Sequence, residues 1–357
     1  MNSKIGLHIG VVGATGAVGK QLLSILKERN FPVRDLKLFS SPRSQGKEVR
    51  FDGKNYRCQV LEKGCFDSLD LVFFDASDAI SKEWVLHAAE AGAWVIDNSA
   101  VYRMDPEVLL LVPEVNGDLL EKRLQAGKNL SAKQRILSGP NCSTVQLVMA
   151  LKPIRDRFGI KRVVVSTYQS ASGAGAAAVD ELTAQARGFL DGIQVPAKAF
   201  SHQIAFNCIP QIGGFKDSGY TSEEQKIMEE SRKLLAMPNL RISATAVRVP
   251  TFSCHGESVN VECEREADLN EARSVLIAQR GVIFLDEPAK NSYPMGMTSP
   301  DDHVEGATGR DAVYVGRLRK DPSLDSGLNL WVVSDNLRKG AALNAIQIGE
   351  ILLQAFH

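Results

Sequence analysis

The stretch that most constrains the fold lies at the start of the chain. Leu7 to Val12 reads as a short buried strand, and Gly13-Ala14-Thr15-Gly16-Ala17-Val18-Gly19 follows at once. A helix then opens with Val18, Leu22, Leu23 and Leu26 on one face. Strand, glycine-rich turn and helix in that order are the setting in which such glycines serve a dinucleotide. Glycine lets the backbone approach a pyrophosphate, and the first N–H groups of the helix donate to it. The spacing is G-x-x-G-x-x-G rather than G-x-G-x-x-G, and the same glycines would also suit a tight turn that needs them only for packing.

The next strand, Leu36 to Phe39, is expected to end beside an adenine ribose. An NAD site usually places a carboxylate there, whereas this chain continues Ser40-Ser41-Pro42-Arg43-Ser44. Hydroxyls with a guanidinium are the chemistry of a bound 2′-phosphate, so NADP is expected over NAD. A polar loop with a solvated arginine is the plainer alternative. Leu69 to Asp75 and Ala93 to Asp97 read as further strands, with helical spacing from Trp84 to Ala91 between them. Alternating strands and helices predict an α/β fold with a parallel, doubly wound sheet of Rossmann type. Ligands meet such sheets at the carboxyl ends of the strands, which makes Asn98, Ser99 and Arg103 candidates. Arg103 taken alone would more commonly lie on the surface.

Ser138-Gly139-Pro140-Asn141-Cys142-Ser143-Thr144 joins this half to the second. Gly139 and Pro140 break the preceding element, and Asn141 can cap a helix carrying Val145, Leu147, Val148 and Leu151. Cys142 then falls in the first turn, where free N–H groups and the helix dipole favour a thiolate. The alternative is a small buried cysteine. Beyond it, Arg162 to Tyr168 is a strand running into Gln169-Ser170-Ala171-Ser172-Gly173-Ala174-Gly175, and Ala176 to Phe189 is helical. Thr221 with Glu224, or Ser222 with Gln225, forms a capping box at the next helix, and Glu223 and Lys226 share one of its faces.

Val247 to Gly256 carries Arg248 and His255. In an unbroken strand residues seven apart point to opposite faces, and Pro250 and Gly256 interrupt the strand, so their convergence does not follow from the sequence. Glu257 to Glu264 alternates as a strand with Val259, Val261 and Cys263 on one face, and loops follow through Tyr293-Pro294. Ala312 to Arg319 and Leu328 to Ser334 form an antiparallel pair. A helix from about Leu337 to Ala355 is expected to return to the first domain.

Composition narrows the class. A chain of 357 residues suits about two domains at roughly 150 residues each. With 42 basic and 42 acidic residues, no net field draws nucleic acid or anionic lipid. No apolar run spans a membrane, and Met1-Asn2-Ser3-Lys4 leads into strand-like sequence without a signal core, so a cytoplasmic protein is expected. The six cysteines include no C-x-x-C pair and no zinc spacing; five are expected only to pack, and no metal is expected.

Taken together these segments resemble the aspartate-semialdehyde dehydrogenases over the full length. The matches are Val12 to Gly19, Ser138 to Thr144, Ser166-Thr167-Tyr168-Gln169, Ser172-Gly173-Ala174-Gly175, Glu223 to Lys226, Arg248-Val249-Pro250 with His255, and Val333 to Leu337. The resemblance implies an NADP-binding domain over residues 1–141, joined by the C-terminal helix at about 337–357. It implies a mixed α/β catalytic and dimerisation domain over 142–336. Cys142 would be the nucleophile, His255 its acid/base partner, and Gln169 the residue that orients the substrate. Arg248 would hold the substrate carboxylate and Glu223 its amino group, with Arg103, Lys226 and Asn141 at the phosphate. Gly13, Thr15, Gly16, Ala17 and Val18 would cradle the pyrophosphate, and Ser41, Arg43 and Ser44 the 2′-phosphate. Asn98, Ser172, Gly173 and Asn336 would complete the cofactor site.

The implied reaction is reductive dephosphorylation of aspartyl phosphate to the semialdehyde by a homodimer or tetramer. Its small-molecule partners are the substrate and inorganic phosphate, and it serves lysine, diaminopimelate, threonine, methionine and isoleucine biosynthesis. An N-acetyl-glutamyl-phosphate reductase would share Cys, His and NADP but has no free amino group for Glu223. A Cys–His hydrolase would have no use for the glycine loop or for Arg43, and a non-catalytic NADP-sensing protein would keep its functions after alkylation of Cys142.

Overall fold

The computed structural model describes residues 6–127, 129–297 and 306–356. The opening Met1-Asn2-Ser3-Lys4 and the terminal His357 lie outside them. The chain divides into two compact units, one running to Asn141 and resuming at Ala341, the other Cys142–Gly340.

In the first unit β1 (Leu7–Val12) leads through the glycine turn into α1 (Ala17–Glu28). Leu22, Leu23, Ile25 and Leu26 bury one face of α1. The helix stops where Asn30 adopts φ 51°, and the Phe31 N–H closes back on the Leu26 carbonyl at 2.9 Å, a left-handed helix end. There follow β2 (Val33–Phe39), the hairpin β3 (Glu48–Phe51) and β4 (Lys54–Arg57), β5 (Leu71–Phe74) and α2 (Asp78–Glu90). Then come β6 (Trp94–Asp97), β7 (Leu109–Leu110), α3 (Pro113–Asn116), α4 (Asp118–Gln125) and β8 (Ile136–Ser138). The sheet order β2-β1-β5-β6-β8-β7 is parallel throughout. Its two faces serve separate cores: Leu71 and Phe73 of β5 pack on one side, Val72 and Phe74 on the other. A strand buried on both faces is the mark of a doubly wound sheet.

The second unit opens with α5 (Cys142–Phe158), β9 (Ile160–Gln169) and α6 (Ala176–Leu190). It continues with α7 (Ser222–Leu234), β10 (Arg241–Arg248), β11 (His255–Cys263), α8 (Leu269–Ala278), β12 (Val282–Phe284), β13 (Val313–Lys320) and β14 (Gly327–Ser334). Its sheet runs β10-β9-β11-β14-β13-β12; β10 lies parallel to β9, whereas β11, β14 and β13 are successively antiparallel. Helix α5 packs against β9, β11, β13 and β14. The opposite face carries Tyr168, 39% exposed, tilted against Trp331 at 5.4 Å.

The last helix, α9 (Leu343–Leu352), belongs to the first unit, where Leu343, Ile346 and Leu352 join the α1 side of its core. It does not start as an ordinary helix near Leu337. A π turn, Arg338–Ala342, precedes it, begun by Asp335, whose Oδ1 accepts from the Leu337 and Arg338 N–H groups at 3.0 Å. Two other expectations need correction. The stretch read as loops after Cys263 contains α8, capped by Asp268 through the N–H groups of Asn270 and Glu271, and also β12. The helix expected from Trp84 starts a turn and a half earlier, at Asp78, behind Ser77.

Candidate active site

Within the second unit one row of residues crosses four strands. Arg248 on β10 and His255 on β11 both pair with Gln169 on β9, and His255 pairs in turn with Ser334 on β14. Laterally paired residues share a face, here the one covered by α5. All four are buried. Helix α5 begins at Cys142, and its next residue, Ser143, accepts a short hydrogen bond from Gln169 Nε2. The same Nε2 donates to Glu223 Oε1 at 3.1 Å. A carboxylate can only accept, which fixes the amide orientation.

Glu223 is held by its helix. The box that forms is Thr221 with Glu224: Glu224 N–H donates to Thr221 Oγ1 and Thr221 N–H to Glu224 Oε2. Glu224 Oε1 also accepts from the Ala246 N–H of β10 at 2.9 Å, clamping α7 to the sheet. Glu223 then faces Gln169 rather than solvent, with Lys226 Nζ 3.8 Å from its other oxygen.

His255 Nδ1 accepts from the Ser170 N–H at 3.1 Å, so the proton of the neutral ring sits on Nε2. That nitrogen is buried without a hydrogen-bond partner among the described residues. Burial and then the nearby Arg248 charge push the His255 pKa down to about 3, so the ring is a neutral N–H donor. Arg248 Nη1 donates to the Ser170 carbonyl at 2.7 Å, and the guanidinium lies 5.9 Å from the Phe200 ring centre. Burial lowers its pKa, opposed by Cys142 and Glu223. Gly173 makes this packing possible: a Cβ there would lie 2.8 Å from Arg248 Nη1 and 3.0 Å from His255 Cε1.

Asn336 organises the turn behind them. Its Oδ1 accepts from Ser170 Oγ at 3.2 Å, Ser172 Oγ at 3.1 Å and the Cys254 N–H at 3.0 Å. Ser170, Ser143 and Asn336 thus fix the imidazole and the amide, and of these only Asn336 was singled out from the sequence. Ser170 follows Gln169 directly, but its bond to His255 crosses strands and has no local signature.

In the first unit Gly13 has φ 88° and its missing Cβ would fall 2.1 Å from the Asp75 carbonyl, so only glycine fits. Gly16 is the N-cap of α1, whose first turn contains no acid to repel an anion. The cradle therefore suits a pyrophosphate. Ser41 and Arg43 are exposed on a 3-10 turn, Pro42–Ser44, after β2. Asn98 donates to Asp75 Oδ1 at 2.6 Å, and burial raises the Asp75 pKa to about 7. Arg103 is buried, with Nη2 donating to the Asn98 carbonyl at 2.6 Å and its charge offsetting part of the burial-driven rise of the Asp97 pKa. Asn141 is buried as well. No disulfide joins the six cysteines; Cys208 is exposed rather than packed, and Cys142 is partly exposed. Among the described residues no acidic, His or Cys cluster could hold a metal, and no helix is long and apolar enough to cross a membrane.

Comparison with known proteins gives one family. Residues 8–123 match the semialdehyde dehydrogenase NAD binding domain, and residues 151–339 the semialdehyde dehydrogenase dimerisation domain. An aspartate-semialdehyde dehydrogenase of Aquifex aeolicus is 48% identical over 98% of this chain and 99% of its own length. That of Bacillus subtilis is 43% identical over 97% of each. The crystal structure of aspartate semialdehyde dehydrogenase II from Vibrio cholerae, complexed with ASA, has a TM-score of 0.90 at 42% identity, covering 99% of this chain and 100% of that one. With both of its units matched and its length spanned, the chain belongs to the aspartate-semialdehyde dehydrogenase family.

Proposed function

We propose that this protein converts aspartyl phosphate and NADPH to aspartate semialdehyde, inorganic phosphate and NADP, through a thioester on Cys142. The observation that carries the reading is the Arg248–Gln169–His255 row, with Glu223 bonded to Gln169 from α7. The Cys142 thiolate adds to the acyl carbon, the bond to the phosphate oxygen breaks, and phosphate leaves. The chemistry that a dinucleotide supplies when bound is hydride delivery to an acyl carbon. His255 Nε2–H donates to the oxyanion of each tetrahedral adduct, and release of the Cys142 thiolate yields the aldehyde.

Arg248 matches the planar substrate carboxylate, Glu223 its ammonium group, and Gln169 holds the carbonyl. Arg103, Lys226 and Asn141 serve the phosphate. Gly13, Thr15, Gly16, Ala17 and Val18 receive the pyrophosphate, and Asn98, Ser172, Gly173 and Asn336 serve the cofactor elsewhere. The absence of a carboxylate after β2, with Ser41, Arg43 and Ser44 in its place, supports NADP over NAD. A free amino group needs an acid such as Glu223, which favours aspartyl phosphate over an N-acetylated acyl phosphate. The domain boundary falls at Asn141–Cys142. The partly exposed Tyr168–Trp331 pair, beside a cavity of about 570 Å³, supports a homodimer.

The test is spectrophotometric. NADPH should form from aspartate semialdehyde only when inorganic phosphate is present. Phosphate-independent formation would overturn the reading.

A further inference from the structure

Next to the row that carries Gln169 and His255 runs a second one, and its ionisable member has no part in the chemistry above. Glu257 follows His255 by two positions on β11, so both point to the α5 face. Its lateral partners are Thr167 on β9 and Val332 on β14, and all three are fully buried. Neither Glu257 carboxyl oxygen completes a hydrogen bond among the described residues, nor does the Thr167 hydroxyl or Gln146 Nε2.

Gln146 lies one helical turn beyond Cys142 on α5. Its Oε1 accepts from Ser334 Oγ at 2.6 Å, and Ser334 is the residue paired with His255. The Gln146 amide also lies close enough to Glu257 to act on its acidity. One side chain of the cysteine-bearing helix thereby reaches both rows of the sheet.

We propose that Glu257 is a positioning residue for the reaction: with Gln146 and Ser334 it locks the turn of α5 bearing Cys142 to the strands bearing His255 and Gln169. Burial drives the carboxyl toward its neutral form, offset only in part by Gln146. A neutral acid can donate and accept at once, which suits the unpaired Gln146 and Thr167 groups, whereas an ionised one could only accept. An apolar residue would fill the same space without the cost of burying polar atoms. What the carboxyl adds is direction, since a polar group facing the Gln146 amide favours one orientation of it and so one register of helix against sheet.

The inference rests on Cys142 being the nucleophile. Its test uses the full chain with Glu257→Leu and Glu257→Gln. It follows kcat, KM and the pH profile of iodoacetamide alkylation of the Cys142 peptide by mass spectrometry. A misplacement of about 1 Å costs roughly a hundredfold in rate. Glu257→Leu should therefore lose about ten- to a hundredfold in kcat with KM within about twofold, and shift the alkylation profile. Glu257→Gln, which keeps the shape and both hydrogen-bonding roles, should recover at least about a third of the wild-type kcat.

A folded Glu257→Leu enzyme with wild-type kcat and alkylation profile overturns the proposal. So does a Glu257→Gln enzyme as impaired as the leucine variant. If Glu257→Leu does not fold, Gln146→Leu breaks the same link from the helix side, and wild-type kcat there overturns it equally. A Cys142→Ala enzyme that still turns over would sink the thioester reading, whereas a fully active Glu257→Leu enzyme that still needs Cys142 sinks only this inference.

Discussion

Arg248 and His255, seven residues apart in the chain, stand on opposite flanks of the same residue, Gln169. The chain leaves β10 parallel to β9, crosses the end of β9 and returns as antiparallel β11. The crossing segment is tied down as it passes: the Thr251 and Phe252 carbonyls accept from the Ala171 and Ser172 N–H groups at 2.8 and 3.2 Å. Cys254 takes φ 67° to turn the chain into β11. The backbone path thus places one cation and one neutral N–H donor on either side of an amide.

In the proposed reaction Arg248 anchors the substrate carboxylate. A hydrogen bond to a charged group contributes about 1.5–3 kcal/mol, or roughly ten- to a hundredfold in binding. Arg248→Ala should raise the KM for aspartate semialdehyde by that factor. An unchanged KM removes Arg248 from the site.

Cys142→Ser should bind NADP with wild-type affinity and lose at least about a thousandfold in turnover, because the hydroxyl is a far weaker nucleophile. The pair of measurements is fluorescence titration of the cofactor and steady-state rate. Retained turnover would mean that the thioester does not form there.

Gly173 tests how tightly the imidazole and guanidinium are held. An added methyl falls within 3.1 Å of Arg248 Nη1 and His255 Nε2, both at the ends of side chains that can shift. Gly173→Ala should therefore leave the melting temperature within a few degrees while lowering kcat/KM by about tenfold or more. Wild-type kinetics would show that the site tolerates the displacement.

Local features were legible in the sequence and cross-strand ones were not. The β1–glycine–α1 unit and the start of α5 depend on residues within one or two turns and are legible in the linear sequence, which also narrows the box on α7 to two pairs, of which Thr221–Glu224 forms. The row through Gln169 depends on strand register, which sequence periodicity cannot assign between segments far apart. Ser170 and Glu257 gain their partners only through that register. Helix α8 has a weak signature because it buries just Ala272 and Leu276, too narrow a stripe to outweigh its polar residues, although Asp268 offers a cap. The π turn before α9 had a different cause: Gly340 approaches Cys142, where a Cβ would lie 2.9 Å from Cys142 Cβ, and Asp335 redirects the backbone to fit.

The proposed preference for NADP rests on the exposed turn after β2. Arg43 is exposed on that turn, and a guanidinium there suits a 2′-phosphate. Arg43→Ala should lower the ratio of kcat/KM for NADP to that for NAD by about tenfold, through NADP alone. An unchanged ratio rules out the contact.

The second row also imposes a pH dependence on stability. Burial holds the Glu257 pKa well above 4.5, so the folded state keeps a proton that the unfolded chain releases above that pH. Folded protein then binds more protons than unfolded, and stability falls as pH rises, by at most about 1.4 kcal/mol per unit, until the folded pKa is passed. His255 works in the opposite sense. Its folded pKa of about 3 lies below the ordinary 6.5, so stability rises with pH between those values. Comparing wild type with Glu257→Gln isolates the carboxyl, since His255 is common to both. In chemical denaturation at pH 5, 6, 7 and 8 the glutamine variant should gain on the wild type as pH rises from 5, until the folded pKa is passed. A difference that stays flat with pH means that Glu257 is ionised in the native protein.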